Sequence, residues 1–145
     1  MSNKSKISIK LIIGFIILAA VFTSIWYAYF SSPSLYDSMI EAANTLNKNC
    51  PVMIDTETRL DNTFAFEPNE FQYNYTLVNR IKDSIDLKYF NEKMRPLLVN
   101  HVKSEPDMKF IRDSRVIVIY HYKDKNGVFL TKIKITPNQY QEMPY

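Results

Sequence analysis

Within seven residues, Asp55-Thr56-Glu57-Thr58-Arg59-Leu60-Asp61, the chain gathers three carboxylates, two hydroxyls and one guanidinium. Two chemistries suit that cluster. In one, Arg59 grips an anionic group on a partner while Asp55 and Asp61 orient its guanidinium. In the other, the cluster is a capped turn: Asp55 and Thr58 satisfy backbone donors, and Arg59 pairs with a neighbour on a sheet. The candidate interaction residues are therefore Asp55, Thr58, Arg59 and Asp61.

Other reactive side chains are sparse. Cys50 is the single cysteine, so no intramolecular disulfide forms, and its place on an apolar helical stripe predicts a buried, inert thiol. His101 and His121 have no second ligand at a metal-binding spacing. His121 alternates with Tyr120 and Tyr122, as the solvent face of a sheet would. The chain has no Gly-rich phosphate loop and no Gly-x-Ser-x-Gly. This reading expects no catalytic residue, no metal and no cofactor, and hence no enzyme. The aromatic residues Phe64, Phe66, Phe71, Tyr73, Tyr75, Tyr120 and Tyr122 fall on predicted strands. Most belong to a core, with some tyrosine hydroxyls rimming a groove.

The elements that position these groups begin with an uncharged run of twenty residues, Leu11 to Phe30, preceded by Lys4, Lys6 and Lys10. At ~1.5 Å per residue the run covers roughly 30 Å, which predicts a transmembrane helix. Its aromatic end, with Trp26, Tyr27 and Tyr29, predicts an uncleaved signal anchor in place of a cleaved leader. The lysine flank orients it: a cytoplasmic tail over 1–10, a single pass through the inner or cytoplasmic membrane over 11–30, a linker over 31–34, and a periplasmic or extracellular domain beyond. The bilayer is then one partner. Ala20, Ser24 and Ala28 recur every four residues and form a candidate helix-packing face, through which the chain would associate as a homo-oligomer. Only three of the eighteen basic residues precede the run, leaving fifteen against fifteen acidic residues after it. A neutral domain of this kind is not expected to bind nucleic acid.

Ser32 and Pro33 read as N-cap and first residue of a helix whose apolar stripe is Leu35, Met39, Ala42, Leu46 and Cys50, closed by Pro51. Period-two alternation predicts strands around 59–66, 71–77, 116–122 and 129–135. In the first, Leu60, Asn62, Phe64 and Phe66 share one face. Glu67-Pro68-Asn69-Glu70 and Asp124-Lys125-Asn126-Gly127 are the hairpin turns, the latter using one of only two glycines in the chain. Between the hairpins, Leu87, Phe90, Met94, Leu97, Leu98 and His101 keep a helical period. Pro96 there predicts a kink or two short helices. The expected fold is α+β: the transmembrane helix, then a small α-β-β-α-β-β domain over 35–137 with a four-stranded antiparallel sheet, and a C-terminal tail over 138–145.

Asn47-Lys48-Asn49-Cys50-Pro51, Ile54-Asp55, Thr58-Arg59-Leu60-Asp61 and Tyr73-Asn74-Tyr75-Thr76-Leu77-Val78 together resemble a group of small uncharacterised bacterial exported or membrane-anchored proteins. Pro106-Asp107-Met108, Val118 to Asp124 and Gly127 extend the resemblance. It implies a bacterial envelope location and lends no activity. Members of the group carry further cysteines, where this chain has Lys103-Ser104 and Gln139-Tyr140, so no disulfide is implied. The functional expectation is an envelope protein whose exported domain binds a membrane or envelope protein, or assembles a membrane complex. The alternative is a ligand-binding module or small enzyme at the membrane face, using Asp55, Arg59 and the tyrosine-rich sheet.

Overall fold

The computed structural model describes the backbone of residues 9–30 and 33–141, and the side chains of 13–27 and 33–141. The chain divides into two units, Met1–Pro33 and Ser34–Tyr145.

The first unit contains helix α1, Ile9–Phe30. Its described side chains, residues 13–27, are all exposed. Among the described residues no helix is long and apolar enough to cross a membrane. The transmembrane, signal-anchor and single-pass expectations are corrected accordingly, and the inner-membrane localisation goes with them.

The second unit opens with α2, Leu35–Asn47. Its N-cap is Ser34; the expected cap, Ser32, lies outside the described residues. Ser34 Oγ accepts the Asp37 amide at 3.1 Å, and Asp37 Oδ2 accepts the Ser34 amide at 3.1 Å, a reciprocal capping box. The Ser34 hydroxyl, donating to Asp37 Oδ2 at 2.6 Å, and then the Ser34 amide hold the Asp37 carboxyl below its ordinary pKa.

Five strands follow: β1 (Val52–Met53), β2 (Thr58–Phe66), β3 (Glu70–Leu77), β4 (Ile117–Asp124) and β5 (Phe129–Ile135). They lie side by side in that order in one sheet. Three pairings are antiparallel, but β3 and β4 run parallel, from Glu70↔Ile117 to Leu77↔Asp124. The four-stranded antiparallel sheet expected from the sequence is therefore wrong on two counts, although the α+β class stands. Alternation reports which face a side chain takes, and that pattern is the same for either strand direction. What permits the parallel return is the long connection from β3 to β4, which carries helices α3 (Leu87–Ser104) and α4 (Lys109–Asp113). β1, with two residues, is too short to show a period at all.

A β-bulge between Leu60 and Asn62 makes a second departure. It places Asp61 and Asn62 on one face and so reverses the parity of β2. Leu60 is buried, but Thr63 rather than Asn62 is its buried companion, and Phe64 and Phe66 face away from the core. The bulged strand is held by α2. Asn47 Nδ2 donates to the Thr63 carbonyl at 2.9 Å, and Asn47 Oδ1 accepts the Thr63 amide at 2.7 Å. One side-chain amide thus supplies both backbone partners that β1 is too short to provide.

The helices cover one face of the sheet. Met39 and Ala43 of α2, Leu98 and Val102 of α3 and Ile111 of α4 pack onto Phe71, Tyr73, Val118, Tyr120 and Ile133. α3 is a single helix across Pro96, which sits on its exposed side where the freed Glu92 carbonyl meets solvent. Against β5, Thr131 Oγ1 donates to Asn91 Oδ1 at 2.9 Å and Arg95 Nη1 donates to the Lys134 carbonyl at 3.0 Å. Helix α5, Pro137–Tyr140, brings Tyr140 into the core, where its hydroxyl donates to the Val116 carbonyl at 2.7 Å. Burial pushes that hydroxyl's pKa up to about 12.

The β4–β5 turn uses Gly127 at φ 79°, as its expected left-handed role requires. Asp124 is the centre of this corner. Its carboxylate is buried, accepts the Asn126 and Val128 amides at 2.8 and 2.9 Å, and also takes the Lys82 amide at 3.0 Å from the start of the crossover. Burial opposes its ionisation, but the three amides outweigh this and hold the carboxyl below its ordinary pKa.

Candidate functional site

The cluster at 55–61 is divided by the fold. Asp55 lies in the turn between β1 and β2, where Oδ1 accepts the Glu57 and Thr58 amides at 2.7 Å each. These bonds, that from Glu57 first, lower its carboxyl pKa. Thr58 begins β2, and its carbonyl accepts the Ile54 amide at 2.9 Å, closing the turn. Arg59 and Asp61 sit together on the uncovered face: Arg59 Nε donates to Asp61 Oδ1 at 2.7 Å, and Thr76 Oγ1 donates to Asp61 Oδ2 at 2.6 Å. Asp61 thus orients Arg59, whereas Asp55 is committed to its own backbone. Sequence reasoning missed the ion pair that does bridge this region, Arg80 to Glu57 at 3.1 Å.

Two clefts open beside the covered face. The first, 620 Å³, lies between the β1–β2 turn and α3, and is lined by Asp55, Glu57, Arg80, Tyr89, Phe90 and Tyr122 among others. Arg59 does not line it, so Asp55 and Arg59 do not converge on one ligand. Its charged groups are partly internally paired, Arg80 with Glu57 and the Lys93 ammonium over the Tyr89 ring at 5.4 Å.

The second cleft, 470 Å³, runs between α2 and α4. Ser38, Ala42, Thr45 and Leu46 form one wall, Phe110 and Ile111 the other, and Phe71 and Tyr73 the floor. The wall residues of α2 recur at helical spacing; Ala42 packs against the core, while Thr45 and Leu46 stay exposed. Leu46 and Phe110 are both partly exposed there. Glu41 and Asp107 stand at the edges, which makes the lining apolar and the rim acidic.

The tyrosines of β3 and β4 stack face to face: Tyr73 on Tyr120 at 5.6 Å between ring centroids and Tyr75 on Tyr122 at 5.4 Å. Burial pushes all four hydroxyls well above the ordinary tyrosine range, so they remain protonated. Tyr73 and Tyr122 reach a cleft, while Tyr120 lies within the core. Cys50 is half-buried just beyond α2, with Sγ 3.5 Å from the Leu46 carbonyl. Burial, and then the charge of Asp61, raises its thiol pKa and disfavours the nucleophilic thiolate. His101 is exposed on α3, and His121 is on the uncovered face against Phe129. No group of three or more metal-ligating side chains occurs among the described residues. On α1, Ala20 and Ser24 are exposed, and Ser24 Oγ donates to the Val21 carbonyl at 2.8 Å; the Ala28 side chain lies outside the described residues.

Residues 34–130, which carry both clefts and most of the sheet, match the family described as a domain of unknown function (DUF8479). The chain belongs to that family. No curated protein matches it in sequence. Three solved structures share the fold of this DUF8479 domain. One is a protein of Pseudomonas aeruginosa classed as secreted, with TM-score 0.63 and 13% identity over 74% of this chain and 93% of that one. The type II secretion system pilotin EpsS of Vibrio vulnificus has TM-score 0.58 and 8% identity over 75% and 94%. The type II secretion system pilotin AspS of Vibrio cholerae has TM-score 0.54 and 9% identity over 72% and 91%. At these identities the likeness is one of fold.

Proposed function

We propose that residues 34–141 form a protein-interaction module that serves the assembly of a secretion complex. The observation that carries this reading is the cleft between α2 and α4. Its lining is largely apolar, its rim holds two carboxylates and its wall includes the exposed Thr45 and Leu46 of α2. Such a groove suits an apolar helix of a partner protein, flanked by basic residues that meet Glu41 and Asp107. Two of the structures with this fold are pilotins of type II secretion systems, which supports an assembly role, and neither is an enzyme.

A photo-crosslinking residue at Leu46 of the full chain, expressed in its own host, tests the reading. The expected adduct maps to an apolar, basic-flanked segment of one protein belonging to a multi-subunit complex. It should disappear when Thr45→Trp fills the groove from its exposed wall, with the unfolding midpoint unchanged. An adduct that survives Thr45→Trp, or one shared with a crosslinker at Lys125 on the far hairpin, would overturn it.

A further inference from the structure

The uncovered face of the sheet has a composition that solvent alone does not account for. On a sheet packed on one side only, the other side is expected to be polar. Here Phe64, Phe66 and Phe129 lie on it, 50%, 45% and 48% exposed. Between them runs a neutral polar band: Gln72 Nε2 donates to Asn74 Oδ1, and Asn74 Nδ2 donates to Asn62 Oδ1, each at 2.8 Å. The charges on this face are unequal. Arg59 is held by Asp61, and Lys134 pairs with Glu70. Lys123 and Lys132 flank His121, and no carboxylate among the described residues pairs with either. His121 packs against Phe129 at 5.1 Å between ring centroids, so the two free ammonium groups bracket an aromatic platform.

We propose that this face is a second docking surface, for an acidic protein segment carrying apolar side chains. Charge complementarity selects the occupant. After residue 30 the chain has as many acidic as basic residues, so a cation excess on one face is a local arrangement rather than a property of the whole domain. Carboxylates of the partner meet Lys123 and Lys132, and its apolar side chains cover Phe129 at one corner and Phe64 at the other. Phe64 shares a cross-strand row with Ile119, whereas Phe129 pairs with Lys123 further along β4, so the corners are three strand spacings across and about 13 Å along the strands apart, roughly 19 Å in all. An extended segment crosses that diagonal in roughly six residues at 3.3 Å each. Two free lysines are too few to track a phosphate backbone, and an anionic bilayer is typically read by clusters of about four to eight cations. The inference goes beyond the groove reading and does not depend on it, because the two surfaces use opposite faces of the sheet.

The test places photo-crosslinkers at Phe64 and, separately, at Phe129 in the full chain in its host, and maps the crosslinked residues. Both positions should capture one protein segment with a surplus of Asp and Glu. Its yield should fall at least ten-fold in the Lys123→Glu, Lys132→Glu double variant, and also in the milder Lys123→Gln, Lys132→Gln pair, should the first fold poorly. The Leu46 adduct should persist in any folded variant, which separates failure here from failure of the groove. No adduct, a neutral or basic segment, capture of lipid or nucleic acid, or a yield indifferent to both lysine pairs would each overturn the proposal.

Discussion

The two faces of the sheet are built from the same strands and differ in almost everything else. On the covered face, Phe71, Tyr120 and Ile133 are sealed under α2, α3 and α4, and the cleft between α2 and α4 is rimmed by acid. On the uncovered face the aromatic residues are half-exposed, the centre is a chain of side-chain amides, and the unpaired charges are lysines. Burial spends the first face on stability. On the second, Ile119, Asn74 and Thr76 are buried among their neighbours, whereas Phe64, Phe66 and Phe129 stay half-exposed. Stability and binding are thereby separable within one sheet, and substitutions should show it.

The largest effect is expected at Phe71→Ala, which empties a fully buried site and should cost about 3–5 kcal/mol in urea unfolding. Asn47→Ala should follow at about 2–3 kcal/mol, because it strands the buried Thr63 amide and carbonyl together. Asp124 should reveal itself by pH. Its folded pKa lies below that of the unfolded chain, so its stabilisation is complete above about pH 4 and is lost as pH falls through the folded value. Melting curves of Asp124→Asn should accordingly converge with those of the parent in acid and diverge at neutral pH. Ser34→Ala, which removes the cap of the covering helix α2, should cost about 1 kcal/mol. Phe64→Ala should be the mildest, within about 0.5 kcal/mol, while reducing capture on the uncovered face. If Phe64→Ala destabilised as much as Phe71→Ala, the division between the faces would not hold.

How much of this was legible in the sequence depended on whether a signal was local. The turn at Gly127 needs a left-handed residue, and only glycine supplies it without strain, so that corner was readable. The alternation of β4 was readable for the same reason, as the pattern repeats within one element, whereas α2 buries Met39 and Ala43, leaves Leu46 exposed and ends before Cys50. The bulge was not readable. It shifts parity by a single residue at Asp61, and nothing in Leu60-Asp61-Asn62 distinguishes a bulged strand from a straight one. That is why Asn62, Phe64 and Phe66 were grouped with Leu60, although the fold sends them to the opposite side. Strand direction was hidden too, being set by the crossover through α3 and not by the strands themselves. Of the polar cluster, the Arg59–Asp61 pairing was visible two residues apart, but the separation of Asp55 required knowing where the turn closes. Asn47 carried no signal of its role, since its partner Thr63 lies beyond an intervening turn.

That same Asn47, with Arg95 at the far side, bears on how the protein can associate. A bare strand edge is a template on which another chain can add a strand, and such growth has no natural stopping point. Here β1 is two residues long, Asn47 occupies the adjoining backbone groups of β2, and Arg95 takes the Lys134 carbonyl on β5. Open-ended stacking is discouraged at both margins. The two surfaces proposed for partners, the groove and the uncovered face, differ in this respect, since assembly on either would end once the surface is filled.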